Sequence, residues 1–127
     1  MAQSAGKRRD PALNDAHDIG AAIDRGHLER MTFGDRGLER ELLELFDRQA
    51  AMVIVRMRAG GAAAIAPFAH TLKGSASGVG AARVAAAAEA AEFAAGRSPA
   101  ERSLAIDRLV EAVEEVRAHI AELLRAD

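Results

Sequence analysis

The sequence predicts an all-α protein: one antiparallel four-helix bundle with a short helical lid at its N-terminal end. Three observations predict it. Half of the 127 residues are apolar and alanine, the strongest helix former, supplies much of that half, whereas the only aromatics are four phenylalanines. Apolar residues recur at intervals of three and four through most of the chain, the period of a helix with one buried face. The segments so marked are joined by short glycine or proline connections, and helices joined that way pack most simply as up-and-down neighbours. A chain of 127 residues suits one core and is short for two.

Residues 1–11 are polar, with Lys7, Arg8 and Arg9 in a row, the composition of a disordered lead whose basic cluster is a solvated tail. The domain is therefore placed at 12–127. From Leu13 to Met31 the pattern is weak. Ile19, Ile23, Leu28 and Met31 are apolar, Gly20 and Gly26 interrupt them, and one or two short helices covering an end of the bundle are expected. Asp35 then reads as the N-cap of a long helix over about 35–58, with Leu38, Leu42, Leu45, Phe46, Met52 and Val53 as its apolar stripe and Gly60-Gly61 as its stop. Met52 and Met57 are expected in the core, not in a cofactor box.

Between Ala62 and Gly78 the residues Ile65, Ala69, Leu72, Ala76 and Val79 share one face. Pro67 lies inside this segment, so the helix either begins near Ala66 with proline in its first turn or begins earlier and kinks. Gly78 and Gly80 bracket a turn. Ala81 to Ala95 is an alanine-rich helix studded with Arg83, Glu89 and Glu92, closed by Gly96 at C′, and its small side chains allow close neighbours. Ser98-Pro99-Ala100-Glu101 is a capping box with proline at the first helical position. The helix it opens carries Ile106, Leu109, Val113, Val116, Ile120 and Leu123 as its stripe.

Composition also excludes function classes. A net charge of −2 provides no cationic field for a phosphate backbone, and base-stacking aromatics are scarce, so nucleic acid is not an expected partner. The absence of cysteine removes disulfides and thiolate metal sites. The alanine-rich stretches are broken by His70, Lys73, Arg83, Glu89 and Glu92, so no uninterrupted apolar run reaches the roughly 18 residues of a membrane span. The polar start lacks the apolar core of a signal peptide. A cytoplasmic monomer that binds no membrane is expected.

The chemistry is concentrated in Phe68-Ala69-His70-Thr71-Leu72-Lys73-Gly74-Ser75-Ala76-Ser77-Gly78-Val79-Gly80-Ala81. On a helix His70, Lys73, Gly74 and Ser77 share one face, opposite the row of Ala69, Leu72 and Ala76. A neutral imidazole, with an unperturbed pKa of about 6.5, offers an unprotonated ring nitrogen as a nucleophile near neutral pH. Lys73 is placed to neutralise arriving phosphoryl oxygens, and Gly74 leaves room for a partner's loop.

His70-Thr71-Leu72-Lys73-Gly74-Ser75, followed by Gly80-Ala81, resembles the signature of histidine-containing phosphotransfer (HPt) domains. Val84, Ala88 and Ala91-Glu92 downstream, and His27-Leu28, Met31, Gly34-Asp35, Leu42-Leu43 and Phe46 upstream, extend the resemblance over about residues 13–125, with Ala91 smaller than the family's usual leucine. The resemblance implies a bacterial phosphorelay protein that accepts a phosphoryl group on His70 from a receiver-domain phospho-aspartate and passes it on or back. It implies Lys73 as phosphate partner, Gly74 as docking gap and Glu92 close to His70; Ser77 lies in register to touch a bound phosphate. It implies a carrier and not a kinase, in keeping with the absence of a nucleotide-binding glycine motif. No cofactor of its own is expected, and Mg²⁺ would belong to the receiver.

Several readings compete. His17, His27 and His119 lack comparable neighbours and are read as ordinary residues. A metal site from His70 with Glu89 or Glu92 lacks the Glu-x-x-His pair of carboxylate-bridged bundles. The rival functions are an HPt-like module that docks partners without carrying phosphate, against which the intact His70 and Lys73 stand, and the dimerising helical domain of a histidine kinase, which is expected to be followed by an ATP-binding region.

Overall fold

Two aspartates open the first two of the described helices. Asp24 Oδ1 accepts from the backbone N–H of His27 at 3.0 Å at the head of α1 (Arg25–Thr32), and Asp35 Oδ1 accepts from that of Leu38 at 3.0 Å at the head of α2 (Arg36–Ala59). The chain continues through α3 (Ala62–Val79), α4 (Ala82–Ala94) and α5 (Pro99–Ala126) in the computed structural model, which describes residues 22–126. The expected disordered lead, its basic cluster, Ile19 and His17 lie outside the described residues. No strand occurs among the described residues.

The open question at Pro67 is answered by the start of α3 at Ala62, which puts the proline inside the helix. Its missing N–H leaves the carbonyl of Ala63 without a helical donor, a loss that exposed Ala63 can offset with water. At the other end the helix runs through Gly78 and stops at Gly80, whose φ of 81° lets its N–H reach the carbonyls of Ala76 and Ser77. At this end α1 is fastened: Asp24 N–H donates to Gly80 O at 2.9 Å, and His27 Nε2 donates to Gly78 O at 3.2 Å. His27 therefore satisfies a carbonyl that the helix end leaves free.

The capping box at α5 forms as expected, with Glu101 N–H donating to Ser98 Oγ at 3.2 Å and Ser98 N–H to Glu101 Oε1 at 3.2 Å. The end of α4 differs from expectation. Gly96 follows the cap residue Ala95 but has no positive φ, and a bond from Arg97 N–H to Ala94 O at 2.9 Å turns the chain instead.

Contacts run α2 to α3, α3 to α4, α4 to α5 and α5 back to α2, while α1 rests on α2 and α3. Side-chain pairs fix the sense of three of these neighbours. Arg40 donates to Leu124 O at 3.0 Å and Arg117 to Asp47 at 2.8 Å, so numbers rise along α2 as they fall along α5. The same opposition appears between α3 and α4, where Lys73 lies 4.0 Å from Glu89 and His70 3.0 Å from Glu92. Arg83 at the head of α4 meets Glu115 in the second half of α5 at 2.9 Å.

Phe46, Met57, Leu28, Leu72, Leu109 and Ile120 fill the core, each of their burials contributing on the order of 1.5–3 kcal/mol. Ala69 and Ala76 of α3 and Ala88 and Ala91 of α4 are fully buried, and their lack of bulk lets these two helices approach closely. That approach brings the face of α4 to His70.

One expectation is overturned. Leu38, Leu45 and Met52, assigned to the buried stripe of α2, are 38%, 54% and 50% exposed, whereas Leu43, Phe46, Ala50, Val53, Ile54 and Met57 are buried. The helix carries two apolar stripes, and counting threes and fours from Leu38 follows the outer one. The helix-period pattern alone does not tell which stripe faces the neighbours.

Candidate functional site

Ala69, Leu72 and Ala76 anchor α3 in the core, and this fixes what the other side of the helix shows. His70, Gly74 and Ser77 are exposed and Lys73 is half-buried, as the helical register predicts. The His70 side chain is 67% exposed.

The ring is held from α4. Its Nδ1 lies 3.0 Å from Glu92 Oε2, and Lys73 Nζ lies 3.4 Å from the other Glu92 oxygen, so one carboxylate bridges the two α3 residues. Partial burial works against ionisation of Glu92, but hydrogen bonds from His70 and Lys73, together with the charge of Lys73, outweigh it and hold the carboxyl below its ordinary value. An ionised carboxylate only accepts hydrogen bonds, so Nδ1 must carry the proton of the 3.0 Å contact. In the neutral imidazole Nε2 is then the nitrogen with the free lone pair, and it has no hydrogen-bond partner among the described residues.

Lys73 is further drawn by Glu89 at 4.0 Å. Held by two carboxylates, its side chain is still a third exposed. At Gly74 a Cβ would meet nothing within 4 Å, so the space over that residue opens outward from the protein. Ser75 and Ser77 make no hydrogen bond that ties them to the site among the described residues.

All five sequence-predicted residues thus share one surface: His70, Lys73, Gly74 and Ser77 along α3, with Glu92 reaching them from α4. Sequence reasoning missed Glu89 as a second partner of Lys73. Its signal was present, since Glu89 and Glu92 lie three apart and antiparallel packing sets them against Lys73 and His70. It also missed the stacking of Arg97 over Phe93, 5.4 Å from the ring centre, on the flank beyond Glu92. His119 stays apart from the site: its Nε2 is buried without a partner and its Nδ1 is 3.9 Å from Glu122.

The family model of the Hpt domain matches residues 39–126, which cover nearly all of α2 and the whole of α3, α4 and α5. The chain belongs to the Hpt domain family. Membership assigns it to histidine phosphotransfer, and the Hpt domain supplies the context in which a solvent-facing imidazole on a helical bundle is read. Searches of curated proteins and of solved structures returned no match. No helix is long and apolar enough to cross a membrane among the described residues.

Proposed function

We propose that this Hpt domain carries a phosphoryl group on Nε2 of His70, taken from the phospho-aspartate of a receiver domain and passed to a second receiver or back. The observation that carries the reading is the 3.0 Å contact between His70 Nδ1 and Glu92 Oε2 on a side chain that is 67% exposed, which engages Nδ1 and leaves Nε2 without a protein partner.

In the forward step the Nε2 lone pair attacks phosphorus, the Nε2–P bond forms, and the P–O bond to the receiver's aspartate breaks with the electron pair leaving on the carboxylate. The ring keeps its Nδ1 proton and becomes cationic, and Glu92 stabilises that charge as a carboxylate stabilises an imidazolium. Lys73 moves from Glu92 towards the equatorial phosphoryl oxygens, and Ser77, one turn beyond Lys73, lies in register to donate to them. Gly74 admits the receiver's loop. The return step runs the same bonds in reverse.

On this reading α2 to α5 form the antiparallel four-helix bundle, α1 is the lid on its α3 end, and the domain spans 12–127. The chain acts as a monomeric carrier in the cytoplasm, with no nucleotide site and no cofactor of its own; Mg²⁺ enters with the receiver. The experiment is to offer phosphorylated receivers to the purified protein and follow acid-labile label. Label on the wild type and none on His70→Gln, at equal helicity, is expected. Label retained by His70→Gln, or no label on the folded wild type, would remove His70 as the carrier and leave a docking module.

A further inference from the structure

Lys73 serves two carboxylates, and only one of them also holds the ring. Glu92 Oε1 lies 3.4 Å from the ammonium while its other oxygen engages His70 at 3.0 Å. Glu89 Oε2 lies 4.0 Å from the same ammonium, and among the described residues Lys73 is its one ion-pair partner. The Glu89 side chain is 73% exposed, and a pair so long and so exposed contributes little to folding. Its effect therefore falls on the lysine and not on the scaffold.

Around a neutral His70 ring, two carboxylates face one ammonium, which leaves one negative charge in excess. Arg97, just past the end of α4, does not relieve it, being paired with Glu101 at 3.5 Å and stacked over Phe93. A phosphoryl group arriving at His70 is itself anionic and must compete with both carboxylates for Lys73.

We infer that Glu89 is a positioning residue that restrains Lys73, so that the phosphoryl group on His70 is held less tightly and is given up more readily. The inference rests on the phosphohistidine reading above. In the transfer the Nε2–P bond forms as the P–O bond to the aspartate breaks, the electron pair leaves on the aspartate carboxylate, and the Nδ1 proton stays in place. The ring gains a positive charge in that step and draws Glu92 to itself. Glu89 is then the carboxylate that still competes with the phosphoryl oxygens for the ammonium. Stabilisation withheld from the phosphohistidine favours the opposite side of the exchange, where the phosphoryl group is on aspartate. Two glutamates one turn apart on α4 thus act in opposite senses: Glu92 supports the charged ring, and Glu89 weakens the grip of Lys73 on the phosphate.

Phosphoramidate labels an accessible histidine without any docked protein, so the full chain can be phosphorylated and its phosphoryl group titrated by phosphorus NMR. An ammonium released from Glu89 favours the dianion. The pH at which the phosphoryl group loses its last proton should therefore fall by about half a pH unit in Glu89→Gln, a factor of about three. With a receiver that labels the wild type, the equilibrium between phospho-aspartate and phospho-His70 should move about threefold towards His70 in the same variant. Both differences should shrink as salt rises. Glu114→Gln, the same loss of charge at an exposed residue of α5, should change neither. In the Lys73→Ala background Glu89→Gln should have no further effect.

Superposable titrations of wild type and Glu89→Gln, or an equal shift in Glu114→Gln, overturn the inference. So does an equilibrium that moves towards aspartate in Glu89→Gln. An undiminished shift in the Lys73→Ala background overturns it as well, because Glu89 would then act on the phosphate by its own charge and not through the lysine. Failure of phosphoramidate to label His70 in the folded protein strikes the phosphohistidine reading itself, and is thereby told apart from a labelled protein whose titration ignores Glu89.

Discussion

Glu92 holds His70 and Lys73 at once, with Oε2 3.0 Å from the ring Nδ1 and Oε1 3.4 Å from the ammonium. The carboxylate therefore holds the ring by Nδ1 and keeps the ammonium beside it; on the phosphotransfer reading it sets the tautomer of the nucleophile and keeps a cation ready for the phosphoryl group.

Glu92→Gln tests the first role. Glutamine can offer the ring either a carbonyl or an amide, so it no longer imposes a proton on Nδ1, and it does not balance the cationic phosphoimidazole. Labelling of His70 by phosphoramidate should fall roughly tenfold or more, the scale typical of a carboxylate that orients a reactive histidine. Nitrogen shifts of the His70 ring should show loss of the Nδ1–H form. Unchanged shifts and rate would reduce Glu92 to a surface ion pair.

The same residue gives a pH prediction with a definite sign. The carboxyl of Glu92 is lowered from 4.5 in the folded protein by His70 and Lys73, so its contribution to stability is fully present above pH 4.5 and is lost as pH falls through the lowered value. The Glu101 carboxyl, lowered by its hydrogen bonds to Ser98 and by Arg97, behaves alike at the head of α5. Acid titration of the unfolding midpoint should therefore show a loss below pH 4.5 that is smaller in Glu92→Gln. A wild type and variant with superposable acid limbs would show that the pairing adds nothing to folding.

Most of this site was legible in the sequence because helical register is strict. Once Ala69, Leu72 and Ala76 are taken as buried, His70, Lys73, Gly74 and Ser77 have nowhere to point but outward. The capping box at Ser98 and the cap at Asp35 were legible for a similar reason, since each is completed within three residues. What was not legible depends on pairs distant in sequence. Leu45 and Met52 sit on the helix period as correctly as Phe46 and Val53 do, and only the packing of α2 against α3 and α5 decides which stripe is covered. His27 is the same kind of case: its bond to Gly78 O joins residues 51 apart, and nothing local marks it.

Lys73→Ala separates charge from scaffold. The ammonium is a third exposed and bridges to carboxylates at the surface, so its loss should leave helicity and cooperative unfolding intact. Transfer from a receiver should slow by roughly tenfold or more, because no other cation among the described residues lies within ion-pair distance of Glu92 and its neighbours to replace it at the phosphoryl oxygens. Stopped-flow or quenched transfer at saturating receiver reads the chemical step. An unchanged rate there would take Lys73 out of the reaction.

Gly80→Ala tests how α1 is attached. A side chain at φ 81° costs on the order of 1–2 kcal/mol by itself, and a Cβ there would lie 3.1 Å from the carbonyl oxygen of Asp24 and 3.3 Å from the His27 ring. The strain falls on the contacts that fasten α1, the Asp24 N–H bond to Gly80 and the His27 bond to Gly78. Hydrogen exchange should accelerate across α1 and the last turn of α3 while α5 stays protected. Gly74→Ala gives the opposite result from the same change: its Cβ meets nothing, so replacing glycine in mid-helix should stabilise the fold by about 0.5–1 kcal/mol and still slow transfer from a receiver that needs the gap. A Gly74→Ala protein that is more stable and transfers at the wild-type rate would show that the gap is not part of the docking surface.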